Sequence, residues 1–374
     1  MDWFKSIEIA FRRFLVRLLG VFIHRSSPLS GSIDFNRCKF LFVRQDRIGD
    51  VLVSTPLFAA LKETYPSAVV DILLSPNNSF VLDNDASIRK RWVYQKRFSA
   101  AWKLVFQLRA ERYDFIIDLM DNPSATSTLL LALAGGRWNI GLAKANSFVY
   151  DVKIPLRSRK DVHIVDRLAE LLRPFRIDVD NVKLRVRYQV SADSSEYAAQ
   201  FWQSQQLNGK LVIGINISSG SETRFWGIEN FNELIRSILR DYPTNPLLIL
   251  FHPRDRERAK EIGSSYRDVV LSLETSSFDR FAALIQRTGL LITPDTSAVH
   301  LAAAFQIPSV VLYVQSNKEL RIWEPYHTPT ESLIADVDDL TTISAGSVYT
   351  ALQRLLPLKA SPHSPTSNSI AVQP

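Results

Sequence analysis

The sequence predicts an α/β fold made of two successive units, each alternating strand and helix. Three observations predict it. Short apolar runs alternate with longer amphipathic ones along most of the chain. The alternation comes in two series that divide near residue 190. A chain of 374 residues, 46% hydrophobic and 22% charged, is large enough for two cores and too apolar to be disordered. Strand, helix, strand in repeated order implies parallel sheets with helices on their faces.

The elements follow in order. CKFLFV reads as a buried strand, and GDVLVSTPLFAALKETYP as one helix ended near Pro66. AVVDILL is a strand, AAWKLVFQLRAERY a helix and DFIIDLM a strand. SATSTLLLALAGG is a helix closed by Gly135 and Gly136, and residues 160–175 read as helical. The second series opens with the helix SEYAAQFWQSQQL and the strand KLVIGINIS. The helix ENFNELIRSILRDYP ends at Pro243, and the strand PLLILFHP follows. Then come helix DRERAKEIGSSY, strand VVLSL and helix SFDRFAALIQRTG, the last capped by Gly289. LLITP, SAVHLAAAFQ and PSVVLYV read as strand, helix and strand, and SAGSVYTALQRLL as the final helix.

The expected organisation has four parts. Residues 1–32 form an amphipathic basic helix and linker, 33–190 the first α/β domain, 191–358 the second, and 359–374 a disordered tail. In residues 1–25, Trp3, Phe4, Ile7, Phe11, Phe14, Leu15, Leu18 and Phe22 share one face. Lys5, Glu8, Arg12, Arg13 and Arg17 share the other. Such a helix suits an anionic membrane surface; the other reading packs it on the protein body or in an oligomer contact. Its longest charge-free run after Arg17 is LLGVFI, too short to span a bilayer. Arginines interrupt it and no small-residue cleavage site follows, which argues against a signal peptide. A single cysteine, Cys38, excludes an intramolecular disulfide and a cysteine-based zinc cage, and fits a reducing compartment. The net charge is +7, with no feature that asks for a nucleic-acid partner.

In parallel α/β sheets, ligands sit at the carboxyl ends of the strands, so the strand-to-helix turns carry the candidate chemistry. QDRIGD, residues 45–50, has Gly49 for a close approach and Asp50 at a helix start. Asp50 reads either as a helix cap or as a general base at a cleft mouth. NISSGSETRFWG, residues 216–227, offers hydroxyls, Gly220 and Arg224. It is an ordinary polar loop or a phosphate cradle. TPDTSAVHLAAAFQIP places Asp295, Thr296 and Ser297 before a helix whose N-terminus faces an anion, with His300 on its first turn. A capped helix with a solvent histidine is the plainer reading. His252 and Asp255 mark a solvated helix start or a ribose-binding carboxylate. No GxGxxG fingerprint is present, which lowers the case for a dinucleotide oxidoreductase.

Three of these turns together resemble glycosyltransferase family 9, the bacterial heptosyltransferases. RIGDVLVSTPLFAALKETYP resembles the N-terminal signature of that family, and PDTSAVHLAAAFQIPSVVLY the C-terminal one. SETRFWGIENFNEL resembles the basic-x-Trp loop between them, and YDFIIDLMDNPSATSTLL the second strand and helix of the first domain. The likeness runs from about residue 39 to about 335.

The resemblance implies a GT-B fold, two Rossmann-like domains facing a cleft. It implies an inverting glycosyltransferase that moves heptose from ADP-heptose to a lipid-anchored lipopolysaccharide core, with no cofactor or metal required. Asp50 is then the general base and Arg224 stabilises the diphosphate. Ser219, Gly220, Asp295, Thr296, Ser297 and His300 bind the donor. Arg44, Arg47 and Gly49 face the acceptor, with the two arginines on its phosphates. The expected partners are a nucleotide sugar, a lipid-linked glycan and, through residues 1–25, a membrane surface. The expected place is the cytoplasm, peripheral on the inner face of the inner membrane. Three positions depart from the family pattern: Arg224 for lysine, Ser297 for glycine and Gly227 for proline. Competing readings are transfer from another nucleotide sugar in O-antigen, capsule or glycolipid assembly, a nucleotide-sugar epimerase on a similar fold, and a non-catalytic sugar- or lipid-binding module.

Overall fold

Strand β1 (Lys39–Val43) carries four buried residues in succession, the mark of a strand covered on both faces. In this computed structural model, which describes residues 31–315 and 317–356 together with Phe14 and Leu29, it lies near the centre of a six-stranded sheet. The helix expected over residues 1–25 and the tail at 359–374 lie outside the described residues, Phe14 excepted.

The first sheet continues through β2 (Val69–Leu74), β3 (Lys90–Val93), β4 (Phe115–Asp118), β5 (Trp138–Leu142) and β6 (Val152–Ile154). Its order is β3-β2-β1-β4-β5-β6, parallel throughout. Its helices are α1 (Ile48–Leu52), α2 (Thr55–Thr64), α3 (Phe98–Glu111), α4 (Ala125–Ala134) and α5 (Ile164–Ala169). The second series begins with α6 (Ala192–Ser204) and holds β7 (Ile213–Asn216), β8 (Leu247–Leu250), β9 (Val269–Leu271), β10 (Leu290–Pro294), β11 (Ser309–Tyr313) and β12 (Thr330–Ile334). Between and after these lie α7 (Ile228–Asp241), α8 (Arg256–Gly263), α9 (Phe278–Gln286), α10 (Ser297–Phe305) and α11 (Ala345–Leu355). The second sheet, ordered β12-β11-β10-β7-β8-β9, is also parallel and repeats the first in topology. Strand order reverses between β1 and β4 in one sheet and between β7 and β10 in the other. Those reversals are where such sheets open a crevice at their carboxyl edge.

Aromatic packing anchors the first core. Phe40 stacks on Phe115 at 5.1 Å, and Phe175 meets Phe115 edge-on at 5.0 Å. In the second, buried Trp226 meets Phe231 edge-on at 4.9 Å and donates its indole N–H to the Ile343 carbonyl.

The single helix expected after β1 is two. Pro56 has no N–H for the Leu52 carbonyl and breaks the ladder there. The Thr55 hydroxyl takes that carbonyl at 2.7 Å, and the Ser54 hydroxyl takes the Asp50 carbonyl at 2.8 Å. The break separates α1, which faces the cleft, from α2, which packs in the core. Gly289 does not cap α9, whose C-cap is Arg287. Gly289 instead donates its N–H to Val212 and leads into β10, where a Cβ would lie 2.9 Å from Leu211 Cγ. Gly135, at φ +74°, closes α4 as expected. Strands β3, β5, β6 and β12 carried no sequence signal that set them apart. In β5, Asn139 and Gly141 weaken the apolar pattern, yet both are used. Asn139 donates to the Leu131 and Val149 carbonyls, and Gly141 leaves room for the Tyr150 ring.

Candidate active site at the two strand-order reversals

The turn after β1 is built around Arg44. This residue is fully buried. Its Nη2 donates to Asp50 Oδ1 at 2.9 Å, its Nε to the Asp50 carbonyl at 3.1 Å and its Nη1 to the Leu119 carbonyl. Asp46 lies 3.1 Å from the same Nε. The expected contact of Arg44 with acceptor phosphates is therefore corrected: its guanidinium is enclosed and holds Asp50 in place. Asp50 Oδ2 accepts the backbone N–H of Arg47 at 3.0 Å, so the carboxylate also caps α1. The cap and base readings of Asp50 are compatible, because a carboxylate offers further lone pairs after these two bonds. Arg47 itself is exposed.

Beside this turn, at the end of β4, lies a charged group that the sequence analysis did not assign. Asp121 is buried and pairs with Arg167 at 3.2 Å and Arg159 at 3.7 Å. Burial pushes the Asp46 carboxyl up to about 6, opposed by Arg44 and reinforced by Asp50 and Asp121. The Gln45 side-chain amide is buried with no hydrogen-bond partner among the described residues. For Asp121 the sequence signal was charge in a stretch, DLMDNPS, that otherwise reads as strand and turn, and nothing singled out Arg159 or Arg167.

The opposite wall comes from the turns after β7 and β10. Asn216 donates to Thr293 at 2.9 Å and to Thr296 at 3.5 Å, tying the two turns together. Thr296 caps α10 by accepting from the Ala298 N–H, and Ser297 is the first helical residue. Asp295 lies 3.5 Å from Arg224, both about one-third exposed. Burial raises the Asp295 carboxyl above its ordinary value, and Arg224 and Arg47 oppose the rise. Ser219 donates to the Ser221 carbonyl at 2.8 Å, and around Gly220 there is open space. Gly227 adopts φ +97° at the entry to α7, a conformation that proline, fixed near −65°, cannot take. Its departure from the family pattern is thus a matter of backbone conformation. Asp255 is not a solvated helix start: it is buried and accepts the Ser218 hydroxyl at 2.6 Å, with Arg254 and Arg258 each at 3.5 Å. His252 caps its own turn by accepting the Arg254 N–H.

The two walls meet at Gly49 and His300. A Cβ on Gly49 would lie 2.7 Å from His300 Cδ2, so only glycine permits the contact. His300 is buried, not a solvent histidine, and burial with His163 nearby depresses its pKa to about 3. The ring is neutral at ordinary pH and brings no cation to an anion. His163 is likewise depressed by burial. Its Nδ1 accepts the Val165 N–H, so its Nε2 carries the proton and donates to the Glu324 carbonyl at 3.0 Å. That carbonyl belongs to the connection between β11 and β12, which crosses back to the first sheet's side. Tyr326 donates to Asp166 at 2.5 Å and the Arg321 N–H to the Arg159 carbonyl at 3.0 Å. The structure thus gathers Arg44, Arg47, Gly49, Asp50, Arg224, Asp295, Thr296, Ser297 and His300 around the two reversals, with Ser219 and Gly220 on the adjoining loop.

A model of glycosyltransferase family 9 (heptosyltransferase) matches residues 101–347. The chain belongs to glycosyltransferase family 9. It is 24% identical over 344 residues to lipopolysaccharide heptosyltransferase 3 of Escherichia coli, covering 83% of this chain and 96% of that one. Two solved structures share the fold. A glycosyl transferase family 9 protein of Veillonella parvula has a TM-score of 0.74 at 19% identity, covering 88% of this chain and all, 100%, of that one. The ADP-heptose lipopolysaccharide heptosyltransferase II of E. coli has a TM-score of 0.69 at 19% identity, covering 86% and 100%. The family 9 chain therefore has the two-sheet GT-B arrangement and is a glycosyltransferase. Among its described residues no group of three or more His, Cys, Asp or Glu is placed to hold a metal, and no helix is long and apolar enough to cross a membrane.

Proposed function

We propose that this family 9 enzyme transfers a heptose from ADP-heptose to a lipid-anchored lipopolysaccharide core, with inversion, at the cytoplasmic face of the inner membrane. The observation that carries the reading is the meeting of the two reversals: a carboxylate held by Arg44 on one wall, and a hydroxyl-rich turn with Arg224 and the α10 N-terminus on the other. Asp50 accepts the proton of the acceptor hydroxyl. The oxygen then bonds to the anomeric carbon on the face opposite the diphosphate, and the C–O bond to the diphosphate breaks. The leaving diphosphate gains negative charge, which Arg224 and the free N–H groups of α10 stabilise. No step needs a metal. The lipopolysaccharide acceptor and the donor named for the E. coli relatives support this choice of substrates.

The first test is a thermal-shift panel with ADP, UDP, GDP, CDP and dTDP, followed by transfer assays with ADP-heptose and a core acceptor. ADP alone should stabilise, by about 2.7 kcal/mol at a hundredfold excess over Kd. Stabilisation by a different nucleotide would retain transfer and discard the heptose donor. Asp50→Asn should lower kcat by about 100- to 10,000-fold with nucleotide binding intact. A folded Asp50→Asn enzyme with full activity would remove Asp50 as the base.

A further inference from the structure

Helix α3 buries Leu104, Val105 and Leu108 against the first sheet and turns a second apolar row outward. Phe98 is 80% exposed, Trp102 42% and Phe106 67%. They stand at i, i+4 and i+8, with ring centroids 6.1 and 6.2 Å apart, in one continuous ladder. At 1.5 Å per residue the ladder runs about 12 Å along the helix. Around it lie Lys96, Arg97, Lys103, Arg109 and Arg112, all exposed and in no ion pair among the described residues. The one acid of α3, Glu111, is engaged by Lys39, Arg89 and Lys90.

We infer that this ladder is a docking surface for an anionic phospholipid bilayer. Aromatic rings favour the bilayer interface and cations favour anionic headgroups, so both parts of the patch point to one occupant. A two-fold contact with a second copy would set the same cations against one another. The placement also fits. In a parallel sheet every strand-to-helix turn lies at one edge, so Phe98, at the start of α3, shares that edge with Asp50 at the start of α1. A lipid-anchored acceptor in the bilayer would then reach the general base from the side on which the protein sits. That orientation rests on the transfer reading above; docking itself does not, and is measured without donor or acceptor.

The test uses the full chain with vesicles of phosphatidylcholine alone and of about three parts phosphatidylcholine to one of phosphatidylglycerol. Binding should need the anionic lipid. Brominated lipid should quench fluorescence in the wild type more than in Trp102→Phe, which keeps an apolar ring but removes that reporter. Phe98→Ser, Trp102→Ser and Phe106→Ser combined should weaken partitioning by about tenfold or more, with the nucleotide-induced thermal shift unchanged. Equal partitioning of the triple variant, or equal quenching with Trp102→Phe, would overturn the inference and leave residues 1–25 as the membrane contact. A wild-type dimer that the triple variant dissolves would overturn it in favour of a second copy.

Discussion

The turn after β1 and the turns after β7 and β10 occupy equivalent places in two sheets of the same topology, yet they are built in opposite ways. In the first, the charges are enclosed and answer one another: Arg44 is fully buried and serves Asp50, Asp46 and a carbonyl. In the second, hydroxyls dominate, Gly220 stands in open space, and the Arg224–Asp295 pair is loose and about one-third exposed. A reacting carboxylate must be held in one geometry before substrate arrives. A site for a charged diphosphate does better with groups left free for the ligand. On the proposed reading, rigidity belongs to the wall that bears the base and adaptability to the wall that takes the diphosphate.

Breaking the rigid wall should have the largest effect. Arg44→Met leaves Asp46 and Asp50 without their buried partner and should cost about 3–5 kcal/mol of stability in denaturant unfolding. A loss under about 1 kcal/mol would mean that solvent already screens the cluster.

The acidity of the same wall sharpens the comparison. Asp46 titrates at about 6 when folded against 3.8 otherwise, so the folded state holds this proton more tightly than the unfolded chain. Its contribution to stability is fully present below pH 3.8 and is lost as the pH rises to about 6, about 3 kcal/mol in all. His300 has the opposite sign: its folded value of about 3 lies below 6.5, so stability falls as pH drops below 6.5. Wild type and Asp46→Asn share His300. Their difference in unfolding free energy should therefore move in favour of the variant between pH 4 and 7, and a pH-independent difference would refute the burial account.

The seam between the walls comes next. Gly49→Ala drives a methyl into the buried His300 ring and should cost about 1–3 kcal/mol, with a parallel drop in transfer. If His300→Ala rescues that variant, the clash is confirmed as its cause; if it does not, another contact limits the site.

On the open wall the effect should be smallest. Arg224→Ala removes a charge that is about one-third exposed and should leave stability within about 0.5 kcal/mol of wild type. The ADP-induced thermal shift should shrink, while Arg224→Lys retains part of it. An unchanged shift in Arg224→Ala would separate this residue from the diphosphate.

Much of this was legible in the residues. Alternating apolar runs located β1, β2, β4 and β7 through β11, because strands covered on both faces need little beyond apolar side chains. Strands β3 and β12, at the sheet edges, are half exposed, and β5 contains Asn139 and Gly141; their pairing comes from neighbours distant in sequence. The turns that carry Asp50, Arg224 and Asp295 stood out because charge between two buried elements has no packing role. Asp121, Arg159 and Arg167 did not stand out, since each is an ordinary charged residue until the chain brings them together.

The sequence by itself determined the class of fold, the order of its two units and the family signatures, all of which depend on residues near one another along the chain. Tertiary structure alone decided that Arg44 is buried beneath Asp50, that Gly49 faces a neutral His300 from the other unit, and that three aromatic side chains of α3 stay uncovered. Burial and charge state depend on what lies across a contact: Leu119 closes on Arg44 and His300 meets Gly49 from chain far away in sequence, whereas Asp46 and Asp50 are near neighbours of Arg44 along the chain.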